Sequence, residues 1–305
     1  MSSPSPIGLV GLGAMGAPIS LALLENGNEL VVYDPNPEAV ARVAGAGAVV
    51  CASVSEVADS AELVFASLPT PEVVREVVGG DGGVLAGSRV RTFVDLSTTG
   101  AAVTEDLAHA AEAKGIDYLD APVSGGVAGA EARSLVVMAS GAEETFELVR
   151  PLLETFGASV FHVGKSPGQG QLVKLLNNLL SATALVITAE AASVAARAGL
   201  DLSTLVNVLS AGSGRNSATA DKFPRHVLTR GFGSGFRLAL MTKDVELCLA
   251  EARRQRVPLL VGGLVQQLWT LAAEQLGEDA DHTEIVRLFE EWNGVALAQS
   301  AGDRR

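Results

Sequence analysis

The N-terminal stretch reads Ile7-Gly8-Leu9-Val10-Gly11-Leu12-Gly13-Ala14-Met15-Gly16. A short apolar run leads into Gly-x-Gly-x-x-Gly, and a helical pattern opens directly behind it. Alone, the glycine pattern is weak. Between a strand and a helix, the three glycines have distinct roles in a tight turn, in close backbone approach to a pyrophosphate, and in close helix–strand packing. The helix N-terminus then offers N–H groups and partial positive charge to phosphates. Gly11, Leu12, Gly13, Ala14, Met15 and Gly16 are therefore read as a dinucleotide loop rather than an ordinary glycine turn. Asp34 ends the next strand candidate, 18 residues after Gly16. A carboxylate there accepts the ribose hydroxyls of NAD and repels the 2′-phosphate of NADP, so NAD is expected over NADP. The competing reading makes Asp34 the cap of a helix begun at Pro35 or Pro37.

Outward from this loop, strands are expected at Ile7–Val10, Glu29–Tyr33, Leu63–Ser67, Thr92–Asp95, Asp117–Leu119, Ser134–Ala139 and Ser159–His162. Helical patterns fill the gaps at Ala14–Asn26, Pro37–Ala46, Pro71–Val78, Ala101–Lys114 and Glu143–Phe156. This alternation predicts an α/β fold: a Rossmann domain with a doubly wound, mainly parallel sheet covered on both faces. Gly164–Gly170 (Gly-Lys-Ser-Pro-Gly-Gln-Gly) marks a change. Beyond it only helices are expected: about Gln171 to Ala198, closed by Gly199, then Leu202–Ser210, Ala218–Leu228, Leu238–Arg254, Leu259–Leu276 and Thr283–Trp292. The division predicted is a dinucleotide-binding domain over residues 1–166 and an all-helical substrate and dimerisation domain over 167–305, joined by a long bridging helix. The tail Ser300–Arg305 is expected to fray.

The chain of 305 residues is 48% hydrophobic and 19% charged, enough apolar residues for a large core. A net charge of −13 repels nucleic acid and anionic membranes, so an anionic ligand must be captured locally. Cys51 and Cys248 lie far apart without motif spacing, which favours a reduced cytoplasmic protein over a disulfide framework or a zinc site. No secretory signal pattern opens the sequence. Leu172 to Leu200 is apolar enough to raise a membrane span. Lys174, Asn177, Asn178, Glu190 and Arg197 are costly in lipid, so a helix wrapped by other helices is the better reading. No metal site is expected: His109, His162, His226 and His282 have no ligand spacing.

Lys174 and Asn178 stand one turn apart near the start of that helix and share a face. Desolvation favours a neutral amine, which makes lysine a usable proton carrier. The bland reading is a lysine snorkelling to solvent. Composition tilts the choice: the chain has 17 arginines and five lysines, so a retained lysine points to chemistry that guanidinium cannot perform. Ser124-Gly125-Gly126 offers a hydroxyl and backbone N–H groups, a compact receptor for a carboxylate, although a plain turn has the same composition.

Five motifs in order resemble the β-hydroxyacid dehydrogenases: Gly-Leu-Gly-Ala-Met-Gly at 11–16, Asp-Leu-Ser-Thr at 95–98, Asp-Ala-Pro-Val-Ser-Gly-Gly at 120–126, Lys-Leu-Leu-Asn-Asn at 174–178, and Lys243-Asp244. The resemblance spans residues 6–294. It implies hydride transfer between NAD and a small β-hydroxy acid, with Lys174 as acid/base. Ser124, Gly125, Gly126 and Asn178 would hold the substrate carboxylate and hydroxyl. Leu68 and Pro69 would line the cofactor, with Val73 beside the adenosine and Thr98 near the nicotinamide. Lys243 would close over the cofactor in a cleft between domains; on its own, Lys243-Asp244 reads as a solvated helix pair. Two further readings stand beside this one: a tartronate or succinic semialdehyde reductase of the same family, and a non-catalytic dinucleotide sensor, against which intact Lys174 and Asn178 speak. The lysine also argues against the related imine reductases. The stretch from Ser213 to Arg225, with Lys222-Phe223-Pro224, departs from the family and leaves the substrate open. A homodimer or homotetramer is expected.

Overall fold

The computed structural model describes residues 5–299. The chain divides into two compact units between Lys174 and Leu175. In the first, strands and helices alternate: β1 Ile7–Val10, α1 Gly16–Glu25, β2 Leu30–Tyr33, α2 Pro37–Ala44, β3 Val49–Val50, α3 Val54–Ser60, β4 Leu63–Ala66, α4 Pro71–Gly79, a 3-10 turn Val84–Ala86, β5 Thr92–Asp95, α5 Ala101–Glu112, β6 Asp117–Asp120, β7 Val123–Ser124, α6 Gly126–Glu131, β8 Leu135–Ser140, α7 Glu143–Leu153 and β9 Gly157–Gly164. Helix starts follow local capping chemistry. Asn36 and Thr70 cap α2 and α4, each with proline at the first helical position, and Ser53 caps α3.

The strands form one sheet in the order β3-β2-β1-β4-β5-β6-β8-β7, with β9 added on β8. β3 through β6 are mutually parallel neighbours; β8 runs antiparallel to β6 and β7 and parallel to β9. Strand alternation sorts side chains to two faces. Leu9, Val32, Phe65 and Val94 join one core with Ile19 and Leu23 of α1 and Val149 of α7. Val10, Val31, Val64 and Phe93 join the other with Val57 of α3, Val74 of α4 and Leu107 of α5. This is the expected mainly parallel sheet covered on both faces. Five elements lie outside the sequence reading: β3, α3, the 3-10 turn Val84–Ala86, β7 and α6. Ser124 thus ends a two-residue strand rather than sitting in a plain turn.

The second unit is helical. α8 Gln169–Arg197 enters it, followed by α9 Leu202–Ala211, a π-helix Ala218–Val227, α10 Leu238–Arg254, α11 Leu260–Leu276, a 3-10 turn His282–Ile285 and α12 Val286–Asn293. Gly199 (φ +74°) terminates α8, with the Leu200 N–H donating back to Ala195. One expectation needs correcting. α8 is long and apolar enough to cross a membrane, but it is neither free of protein contact nor wrapped all round. Ala182, Leu185, Ala189 and Ala192 are buried in the helical core, whereas Val173, Leu176, Leu180, Ile187 and Val194 are exposed. The exposed set steps by three, four, seven and seven residues, a single stripe along the helix. The expectation for Ser300–Arg305 lies outside the described residues.

Candidate active site

The glycine loop leaves the carboxyl end of β1, next to β4, where the sheet order reverses direction; open α/β sheets bind ligands at such a point. Gly11 has φ +90°, and a Cβ there would lie 2.3 Å from the Ser67 carbonyl oxygen. A Cβ on Gly16 would lie 1.9 Å from the Gly11 oxygen. The chain itself therefore demands those two glycines. Gly13 is different: its Cβ would meet nothing within 4 Å. That opening at the start of a ten-residue helix, α1, is a cradle that fits a pyrophosphate.

Asp34 ends up beside this loop. Its Oδ2 accepts the Leu12 N–H at 2.6 Å and its Oδ1 accepts the Asn36 N–H at 2.8 Å. The helix-cap alternative is overturned, because Asn36 caps α2 by accepting from Glu38 N. Leu68 and Pro69 follow β4, and the Leu68 N–H donates to Ser97 Oγ at 2.9 Å. Val73 lies in the first turn of α4, its N–H on the capping Thr70 hydroxyl. Thr98 is half-buried in the loop after β5. All of these cofactor candidates follow the carboxyl ends of β1, β2, β4 and β5.

Ser124 closes β7, paired with Val136 of β8. Gly125 (φ +134°) and Gly126 (φ +65°) then adopt left-handed conformations that favour glycine and open α6.

The start of α8 is clamped onto the same end of the sheet. Asp120, the last residue of β6, is fully buried. Its Oδ1 accepts from Ser140 Oγ at 2.6 Å and Gly168 N at 2.8 Å, and its Oδ2 accepts Gln171 N at 2.9 Å. Ser140 Oγ in turn accepts Gly170 N at 2.8 Å. A Cβ on Gly170 would sit 2.3 Å from the Met138 oxygen, so only glycine allows this approach. Burial pushes the Asp120 carboxyl up to about 7, opposed by the hydrogen bonds from Ser140, Gly168 and Gln171. Gln171, also fully buried, donates to the Ser97 oxygen and accepts from Thr99 N and, at longer range, Gly100 N. Motif reading gave Asp120 and Gln171 no role.

Gln171, Lys174 and Asn178 follow at i, i+3 and i+7 on one helix face, and their exposures are 0%, 9% and 5%. Lys174 is buried at this position, which contradicts the snorkelling alternative. Within the helical unit, Asn178 Nδ2 donates to Asp244 Oδ2 at 2.6 Å, and Asn177 Nδ2 donates to Asn178 Oδ1 at 3.1 Å. Lys243 Nζ lies 3.1 Å from Asp244 Oδ1, an ion pair whose geometry falls short of a hydrogen bond. Asp244 is 2% exposed, so Lys243-Asp244 is no solvated pair. Asp244 holds the Asn178 amide, a positioning role the motif alone did not reveal.

A glycine loop that fits a pyrophosphate on a parallel sheet, followed by a helical unit whose entry helix buries a lysine and an amide, is the arrangement that the resemblance to nicotinamide-dependent hydroxyacid dehydrogenases implies. Comparison with known proteins agrees. Residues 6–164 match the NAD binding domain of 6-phosphogluconate dehydrogenase, and residues 168–289 match the family described as NAD-binding of NADP-dependent 3-hydroxyisobutyrate dehydrogenase. The chain is 35% identical over 300 residues to 2-(hydroxymethyl)glutarate dehydrogenase of Eubacterium barkeri, covering 98% of this chain and 99% of that protein. It is 36% identical over 283 residues to 3-hydroxyisobutyrate dehydrogenase of Pseudomonas aeruginosa, covering 90% and 94%. Among solved structures, Mycobacterium tuberculosis 3-hydroxyisobutyrate dehydrogenase with L-serine superposes with a TM-score of 0.84 at 31% identity, covering 94% of this chain and 99% of that one. The chain belongs to the β-hydroxyacid dehydrogenase family that contains 3-hydroxyisobutyrate dehydrogenase, and it is an NAD-dependent enzyme of that kind.

Proposed function

We propose that the enzyme oxidises a small β-hydroxy acid of the 3-hydroxyisobutyrate type, with Lys174 as the acid/base. The observation that carries this reading is the burial of Lys174 between Gln171 and Asn178 on one face of α8. Gly11–Gly16, Asp34, Leu68, Pro69, Val73, Thr98 and Lys243 would hold NAD, which supplies the hydride acceptor when bound. Open space at Gly13 supports the phosphate position, and the half-buried Asp34 carboxylate keeps acceptor capacity for ribose hydroxyls beyond its two backbone bonds.

Ser124, Gly125 and Gly126 would take the substrate carboxylate, and Asn178 the reacting hydroxyl. As the carbinol carbon gives up hydride, neutral Lys174 takes the hydroxyl proton; in the reverse direction its ammonium returns that proton to the developing alkoxide. Asp244 keeps the Asn178 amide from rotating, and the Asp120–Gln171 clamp fixes the turn that carries Lys174. Residues 167–305 serve as the substrate and dimerisation domain. The exposed apolar stripe on α8 supports a homo-oligomer, and two free, buried cysteines support a cytoplasmic setting. Names of the relatives cover an acid with one carboxylate and an acid with two. The test is steady-state turnover of a panel of short hydroxy acids with NAD and with NADP. Oxidation of 3-hydroxyisobutyrate with NAD supports the reading; a panel without turnover, despite NADH binding, overturns it.

A further inference from the structure

Of the five lysines in this chain, Lys114 donates to the Leu85 carbonyl, and Lys165 pairs with Glu143 at the surface. Lys174 and Lys243 belong to the candidate site. The fifth, Lys222, sits in the π-helix Ala218–Val227, an irregular geometry found frequently at functional positions. Its amine donates to Ser181 Oγ at 2.8 Å and Ser217 Oγ at 3.0 Å. Both partners are neutral hydroxyls. The adjacent Asp221 carboxylate is engaged with Arg225 at 3.2 Å. Among the described residues, no carboxylate forms an ion pair with Lys222. Burial pulls the amine below its ordinary pKa, partly offset by the charge of Asp221. A half-buried ammonium without a counter-charge is unfavourable unless a ligand supplies one.

Its position says which ligand. Ser181 lies three residues beyond Asn178 and seven beyond Lys174 on α8, hence on the same face, about 4.5 Å and about 10 Å further along the axis. We propose that Lys222, steadied by Ser181 and Ser217, forms a second anion subsite that receives the distal acidic group of a dicarboxylic β-hydroxy acid. The hydroxymethyl end of such a substrate lies at Lys174 and Asn178, and its far carboxylate reaches along α8 to the Lys222 amine. A chain of net charge −13 has no general field to hold that second carboxylate, so a dedicated cation is required. This inference rests on the assignment of Lys174 and Asn178 to the reacting end.

The matched substrates are 2-(hydroxymethyl)glutarate and 2-(hydroxymethyl)pentanoate, which share a carbon skeleton and differ by a terminal carboxylate. With NAD saturating, the unmodified enzyme should prefer the diacid at least about tenfold in kcat/KM, or ~1.4 kcal/mol. Lys222→Met should remove that preference and leave the monoacid within about twofold; Lys222→Arg, which keeps the charge, should retain most of it. Equal losses on both acids, or none on either, overturn the subsite. Equilibrium dialysis of glutarate against pentanoate on the NAD-loaded protein separates this from the underlying reading. If no hydroxy acid is oxidised, the assignment of the reaction fails, while tighter glutarate binding that vanishes in Lys222→Met still upholds the subsite. Equal binding of glutarate and pentanoate rejects it.

Discussion

Replacing Asp120 by asparagine changes one oxygen of a buried carboxyl to an NH2 group. Whichever way the amide turns, its nitrogen, which unlike either oxygen of the ionised or protonated carboxyl cannot accept a hydrogen bond, faces a donor of the protein. Placed at the Oδ1 position it faces Ser140 and Gly168; placed at Oδ2 it faces only the Gln171 N–H, the less costly choice. One buried N–H then loses its acceptor, at about 1–3 kcal/mol. The second consequence is a pH signature. The folded carboxyl sits at about 7 against an ordinary value of 3.8, so between these values the folded state binds more protons than the unfolded one. The stability this group contributes is complete below the unfolded value and falls as pH rises through the folded value. From pH 6 to pH 8 the folded carboxyl passes from mostly protonated to mostly ionised, and the loss comes to about 1.4 kcal/mol. Urea unfolding at the two pH values, for the native protein and for Asp120→Asn, measures both effects. The variant should be less stable by about 1–3 kcal/mol at pH 6, and the gap should narrow toward pH 8. Its kcat should also fall about tenfold or more at unchanged NADH affinity, because the clamp sets the turn carrying Lys174. A gap under about 0.5 kcal/mol at pH 6, or one that widens toward pH 8, would refute the description of Asp120 as a buried, donor-saturated clamp.

Other outcomes follow from the remaining contacts. The unmodified enzyme should favour NAD over NADP by at least about tenfold in kcat/KM, and Asp34→Ala should shrink that ratio mainly through the loss of NAD use, read from initial rates with each cofactor. A substrate without a carboxylate forgoes the hydrogen bonds proposed for the Gly125 and Gly126 backbone N–H groups, so 1-propanol should be oxidised far more slowly than 3-hydroxypropionate in the same assay. Asp244→Ala leaves the Asn178 amide and the Lys243 ammonium without their carboxylate; it should lower kcat and cost about 3 kcal/mol in denaturant unfolding, near the low end for breaking a buried pair. Leu180→Glu, in the middle of the exposed α8 stripe, should shift sedimentation velocity toward the monomer.

Much of the fold was legible because its signals are local. The glycine loop between β1 and α1 needed only a strand, three glycines and a helix. Strand and helix limits then differ from the sequence reading by a few residues, as fraying ends do. β3 and β7 escaped because two residues carry no alternation. α3 could have been found: Ser53-Val54-Ser55-Glu56 has capping-box spacing, with the Glu56 N–H on Ser53 Oγ and the Glu56 carboxylate accepting the Ala52 N–H. In the candidate site, Lys174 and Asn178 are proposed from their helix spacing and composition. Their supports are not. Asp120 reaches Gly168 and Gln171 across 48 and 51 residues, and Asp244 reaches Asn178 across 66. Such pairs leave no periodic trace in one sequence. The clue that does exist is chemical: Gln171 is an amide at the apolar start of α8, and a buried amide must have partners.

The central claim is that Lys174 carries the proton. Loss of the side chain should fall on turnover, since the phosphates are assigned to Gly11–Gly16 rather than to α8. Lys174→Arg is the sharpest form of the test: it keeps a positive charge but replaces the amine with a group that gives up no proton near neutral pH. The measurement is the single-turnover rate of NADH formation from 3-hydroxyisobutyrate at saturating NAD, with NADH affinity recorded alongside. The rate should fall by ~10²–10⁴ in Lys174→Arg, as in Lys174→Ala, while NADH affinity changes only a few-fold. A Lys174→Arg enzyme with a near-normal rate would contradict the account.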